Sequence, residues 1–123
     1  MKTILIADDS ASVRDVIRAL LSEVPGTEVC GEAINGLDAV EKAKKLRPDL
    51  VLLDLSMPRI NGAEVASILK RTMPSVLIIL FTLQSDTIGR ALASAIGVDA
   101  VLTKPNGVLQ LVETVNTVLA TAH

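Results

Sequence analysis

Residues 48–65 read PDLVLLDLSMPRINGAEV. At the centre, Leu50–Leu53 runs without a polar interruption and ends on Asp54. A strand with no apolar–polar alternation is covered on both faces, as in parallel sheets. Downstream, Ala66, Leu69 and Met73, flanked by Val65 and Ile68, carry helical spacing that closes before Pro74. Upstream, Leu37, Val40, Ala43 and Leu46 mark another helix. It ends at Arg47-Pro48, because a residue before proline avoids the α region.

The same alternation extends in both directions. Thr3–Ala7 is an apolar run that ends on Asp8-Asp9, followed by Val13, Val16, Ile17, Leu20, Leu21 and Val24 on one helical face, stopped by Pro25-Gly26. Glu28–Ala33 is a weaker strand, and Asn35-Gly36 is the turn before the second helix. Val76–Phe81 is a fourth strand that leads to Thr82. Ile88, Ala91, Leu92, Ala95 and Ile96 give a fourth helix with Gly97 as its C′ residue. Ala100–Leu102 is a short fifth strand before Thr103, Lys104 and Pro105, and Val108, Leu111, Val112, Val115 and Leu119 give the last helix. Five strands alternating with five helices predict an α/β fold: a doubly wound, five-stranded parallel sheet with helices on both faces.

A chain of 123 residues is expected to form one domain, residues 1–123. Half of it is apolar, and the net charge is −2. That balance argues against direct nucleic-acid binding, which needs a basic surplus. The single aromatic, Phe81, excludes a base-stacking platform. Cys30 is the only cysteine, so it forms no intrachain disulfide and is read as a small core residue. The six residues Val76–Phe81 are the longest apolar run, too short for a membrane span. With no signal-peptide pattern, a soluble cytoplasmic protein is expected.

Ligands of such sheets bind outside the C-terminal strand ends. Those ends carry Asp8, Asp9, Asp54, Thr82 and Lys104. Two carboxylates about 4 Å apart repel by roughly 4 kcal/mol at an effective dielectric of 20. Three therefore raise their own pKa values or recruit a cation. Hard oxygen donors with open water positions suit Mg²⁺. A carboxylate nucleophile with Mg²⁺, a lysine and a hydroxyl is equipped for phosphoryl transfer. Taken singly, each residue has a plainer reading. Asp8-Asp9 would cap a helix, Asp54 would turn a strand end, Thr82 would be a β-former and Lys104 a solvated charge. Ser10 and Ser12 are read as helix caps, and Lys42, Lys44 and Lys45 as a solvated helix face.

The runs ILIADDS, GEAINGLDAVEKA, PDLVLLDLSMPRINGAEV, LIILFT and LTKP resemble the receiver domains of bacterial two-component response regulators over essentially the whole chain. The second and third of these runs resemble receivers that precede a LuxR-type DNA-binding domain. The resemblance implies a flavodoxin-like fold with strand order 2-1-3-4-5. It implies that Asp54 accepts a phosphoryl group from a histidine kinase. Asp8, Asp9, Asp54 and the backbone carbonyl of Ser56 would hold Mg²⁺. Thr82 would be the switch hydroxyl, and Lys104 would pair with a phosphoryl oxygen, with its bond to Pro105 expected cis. Met57-Pro58 and Asn61-Gly62 would shape the loop below Asp54. It implies no enzyme beyond self-phosphorylation and slow self-dephosphorylation.

A haloacid-dehalogenase-type phosphatase would want an aspartate where Ser56 stands. A dinucleotide fold would want G-x-G-x-x-G where Ala7-Asp8-Asp9-Ser10 stands. A flavodoxin-type cofactor site would place phosphate against two aspartates. A non-phosphorylated pseudo-receiver that serves as a docking module remains the main alternative.

Three positions depart from the usual receiver pattern. Leu83 replaces a small residue at the site's entrance, Val101 replaces an aromatic, and Asn106-Gly107 follows Lys104-Pro105. Eighteen of the 26 charged residues lie in Met1–Asn61. The region from the fourth helix onward is accordingly expected to expose apolar groups. Val108, Val112, Val115 and Leu119 are read as the buried stripe of the last helix. Leu111, Val118, Leu109, Val101, Ala93 and Ser94 are read as forming an exposed apolar patch for a second copy or another partner, with half-buried core edges as the alternative.

Overall fold

The computed structural model describes residues 1–82, 91, 94–103 and 109–121, with Thr82 described by its backbone alone. Five strands, β1 (Lys2–Ala7), β2 (Thr27–Ala33), β3 (Leu50–Asp54), β4 (Leu77–Thr82) and β5 (Ala100–Thr103), form one parallel sheet in the order β2-β1-β3-β4-β5. The helices are α1 (Ala11–Leu21), α2 (Gly36–Leu46), α3 (Gly62–Thr72), the helical residues 91 and 94–96 (α4) and α5 (Leu111–Thr121). The flavodoxin-like order is the one the resemblance implies.

Every residue of β3 is buried, as its unbroken apolar run requires. Leu50 and Leu52 join a core with Ile4, Ile6, Ile79 and Phe81, covered by Ile17 and Leu21 of α1 and by Leu111, Val115 and Val118 of α5. Val51 and Leu53 face the other way, joining Leu5, Ala7, Ile78 and Leu80 under Val40 and Ala43 of α2 and Val65 and Leu69 of α3. Edge strand β2 buries fully only Ala33.

Helix starts follow local hydrogen-bond chemistry. The side chains of Ser10, Asn35 and Asn61 each accept from the backbone N–H three residues on, at 3.3, 2.8 and 2.9 Å. Ser10, not the Asp8-Asp9 pair, therefore caps α1, and Ser12 lies exposed inside that helix. At the other end of α2, Arg47 takes the left-handed conformation (φ 50°) before buried Pro48.

Four expectations are corrected. First, α1 stops at Leu21, four residues before Pro25, because Glu23 and Val24 turn back to the carbonyls of Leu20 and Leu21 and carry Val24 inward; Val16 is exposed. Second, α2 buries Gly36, Ala39, Val40 and Ala43, leaving Leu37 and Leu46 on its shoulders. Third, Ala91 and Ala95 of α4 are exposed, and Ile96 alone of that predicted face packs against the core among the described residues.

The fourth correction concerns α5, whose buried stripe is Leu111, Val115 and Val118, with Val112 and Leu119 half-buried. Its apolar residues at 111, 112, 115, 118 and 119 form one broad face, so two narrower stripes sharing Val115 were open, and packing on α1 selects the other one. The expected exposed patch loses Leu111 and Val118 to the core. It keeps Leu109, which is 87% exposed, and Ser94, while Val101 packs half-buried against the α2/α3 face. Ile88, Leu92, Ala93, Arg90 and Val108 lie outside the described residues.

Candidate phosphoacceptor and metal site

Strand order builds the site. With β3 between β1 and β4, the register pairs Ala7 with Leu53 and Asp54 with Phe81, so the chain leaving β1 at Asp8 comes out beside the end of β3. Asp8, Asp9 and Asp54 each offer a carboxylate oxygen, and these oxygens all lie within 4.8 Å of one another. Asp8 and Asp54 are buried charged residues, 2% and 5% exposed, while Asp9 faces solvent.

Backbone donors orient two of the carboxylates. The Ser10 N–H donates to Asp8 Oδ1 at 2.9 Å, and the Ser56 N–H donates to Asp54 Oδ1 at 3.1 Å. The Asp8 backbone is fixed as well: its N–H donates to the Ala33 carbonyl at 3.1 Å, and its carbonyl accepts from Arg14 Nη1 at 2.7 Å.

The loop from Leu55 to Asn61 closes under Asp54. Leu55 N–H donates to the Phe81 carbonyl, and Gly62 N–H donates to the Leu55 carbonyl. A Cβ on Gly62 would stand 2.4 Å from the Asp54 carbonyl oxygen, so only glycine lets α3 begin this close to the strand end. Met57 is buried in the α2/α3 core, as a loop hydrophobe rather than a ligand. Arg59 takes a left-handed conformation, φ 74°.

Three carboxylates converging at this spacing are hard oxygen donors that fit Mg²⁺, which takes carboxylates while keeping several waters. Thr82 ends β4 and pairs in register with Thr103, which ends β5. The Thr82 side chain, Leu83, Lys104, Pro105 and Asn106-Gly107 lie outside the described residues.

Beside the site, a shared acid on β2 had no pattern in the sequence, and Lys42 departs from the solvated face expected of it. Glu32, on β2, accepts from Arg14 Nε at 2.8 Å and from Arg18 Nε and Nη2 at 2.9 and 2.6 Å. The Arg18 guanidinium, with Arg14 behind it, holds the Glu32 carboxyl below the ordinary carboxylate range against the opposing effect of burial. Lys42 pairs with Asp38 at 3.2 Å and donates to the Glu32 carbonyl, so it is tied down, unlike exposed Lys44 and Lys45. Arg14 and Arg18 share a helix face by their spacing of four, but nothing in the sequence names their common acid. Cys30 lies half-buried on β2, where burial pushes its thiol pKa up.

Residues 4–116 match the response regulator receiver domain family. The chain belongs to that family. It is 39% identical over 83 residues to a protein-glutamate methylesterase/protein-glutamine glutaminase of Pyrococcus horikoshii, covering 68% of this chain and 23% of that protein. It is 33% identical over 121 residues to the response regulator GacA of Pseudomonas viridiflava, covering 98% of this chain and 56% of that one. It superposes on a DNA-binding response regulator of the LuxR family from Staphylococcus aureus with a TM-score of 0.88 and 28% identity, covering 96% and 98% of the two chains. The receiver thus spans less than two thirds of either curated relative. No helix among the described residues is long and apolar enough to cross a membrane.

Proposed function

We propose that this receiver is a phosphorylation-dependent switch in which Asp54 takes a phosphoryl group from a phosphohistidine of a histidine kinase in the cytoplasm. The observation that carries this reading is the meeting of Asp8, Asp9 and Asp54 within 4.8 Å at the C-terminal sheet edge. A carboxylate oxygen of Asp54 attacks phosphorus, the P–N bond to imidazole breaks, and an acyl phosphate forms. Mg²⁺, when bound, neutralises charge that accumulates on the phosphoryl oxygens. Asp8, Asp9, Asp54 and the Ser56 carbonyl would hold it. The Ser10 and Ser56 N–H groups keep the Asp8 and Asp54 carboxylates turned as found. Thr82 and Lys104 are assigned to the phosphoryl group on family resemblance. Water later hydrolyses the acyl phosphate.

The added charge shifts the population of the surface formed by α4, β5 and α5. That surface then acts on an output partner. Relatives named as methylesterases and as DNA-binding regulators both match, and a LuxR-type DNA-binding domain in a longer protein is the output we favour.

A small-molecule phosphodonor with Mg²⁺ should add one phosphoryl mass by mass spectrometry. Asp54→Asn or chelation of the metal should abolish it. Unchanged labelling of Asp54→Asn would overturn the assignment.

A further inference from the structure

We propose that Arg14 is a positioning residue for the metal-binding carboxylates, acting through the main chain of Asp8 with Glu32 as its anchor. The proposal rests on the reading of Asp8, Asp9 and Asp54 as Mg²⁺ ligands. Arg14 sits one turn into α1, and its side chain is only 14% exposed. Its planar fork spans two strands, with Nη1 on the Asp8 carbonyl of the β1 exit and Nε on Glu32 of β2. Glu32 is itself immobilised by Arg18 on its second oxygen and by Lys42 on its backbone carbonyl.

The Asp8 carbonyl belongs to the peptide plane that joins Asp8 to Asp9. Because that unit is rigid, fixing its oxygen fixes the direction in which Asp9 leaves the strand. The Asp8 N–H is already bound to Ala33 of β2. Arg14 therefore adds a main-chain constraint to the Asp8 N–H bond to Ala33 and the Ser10 N–H bond to the Asp8 carboxylate, and it acts on the aspartate pair through the Asp8 carbonyl.

This role makes a prediction opposite in sign to simple electrostatics. A guanidinium this close to a cation site repels Mg²⁺, so charge removal alone would tighten binding. Loss of positioning would weaken it. Partners that orient metal ligands are typically worth 10-fold or more in affinity.

The test is an NMR titration with MgCl₂ that follows the amides of Asp9 and Ser56, spectra that also report the folded state. Wild type should bind Mg²⁺. Arg14→Met, which keeps the stem and removes charge and fork, should bind about 10-fold more weakly. Arg14→Lys, which keeps the charge but not the fork, should also weaken binding and stands in if the first variant does not fold. Arg18→Met, which strips a cation from the same Glu32 without touching Asp8, should stay within about 2-fold of wild type, since Arg18 is half-exposed and makes no bond to the Asp8 carbonyl. Unchanged or tighter binding by either Arg14 variant would overturn the proposal while leaving the metal site intact. So would an equal loss in Arg18→Met. A wild-type protein that binds no Mg²⁺ would overturn the site reading itself, and this proposal with it.

Discussion

A Cβ atom on Gly36 would stand 1.8 Å from the carbonyl oxygen of Ile60, so the first turn of α2 rests directly on the backbone of the loop that follows Asp54. The Gly36 N–H also donates to the Pro58 carbonyl at 3.3 Å. The glycine is required for close approach, since a side chain there would meet backbone rather than a flexible group.

Gly36→Ala should therefore destabilise the fold by about 1–3 kcal/mol, the usual cost of forced overpacking. It should also shift the amide resonances of Ser56 and Ile60 across the loop. Urea unfolding and an NMR spectrum check both, and a stability within 0.5 kcal/mol of wild type would show that the loop yields freely.

Removing one of three mutually repelling carboxylates has two opposed effects. Without metal, Asp9→Asn should melt at a higher temperature than wild type, because repulsion at the strand ends is relieved. With Mg²⁺ at about 100 times its Kd, wild type should gain about 2.7 kcal/mol, and Asp9→Asn much less. Calorimetry with and without Mg²⁺ reads both signs.

Glu32 has a lowered pKa, so its ion pairs stabilise the folded protein above the unfolded-state value near 4.5 and lose that contribution as pH falls through the lower folded-state value. Glu32→Gln should be less stable than wild type at pH 7 by about 1 kcal/mol, a figure discounted for the half-exposed Arg18. The gap should close on acidification below that window. A gap that persists once Glu32 is protonated in the folded state would show that packing, not charge, is what the substitution removes.

Leu83, expected at the mouth of the site, should hinder both incoming donors and the hydrolytic water. Leu83→Ala should speed phosphorylation by small donors and spontaneous loss alike, measured by mass spectrometry over time. Equal rates would show that the side chain points elsewhere.

Legibility in the sequence followed the physics of each element. β3 and Asp54 could be read because a doubly covered strand leaves an unbroken apolar run, and the carboxylate after it falls where the sheet opens. The rotation of α5 could not, because apolar residues at 111, 112, 115, 118 and 119 satisfy two helical stripes at once. The α1 stop differs from the one Pro25 marks, because backbone bonds at Glu23 and Val24 end the helix before proline has to. Arg14 and Glu32 are 18 residues apart and meet only through the crossover from α1 to β2. Gly36 looked like a turn residue, and only its distance to Ile60 shows that it is a bearing surface.

Among the described residues, the sheet divides the interior into two compartments that share no side chain, one roofed by α1 and α5 and the other by α2 and α3. Substitutions far apart on opposite sides, such as Val115→Ala in α5 with Val40→Ala in α2, should then add in energy, since separated sites without common neighbours do. Each compartment can change its packing over evolutionary time without consent from the other. What the two do share is the main chain of β1, β3, β4 and β5. News of an event at the strand ends reaches both roofs only if those strands themselves shift, so backbone strain, rather than side-chain repacking, is the common language of the two halves.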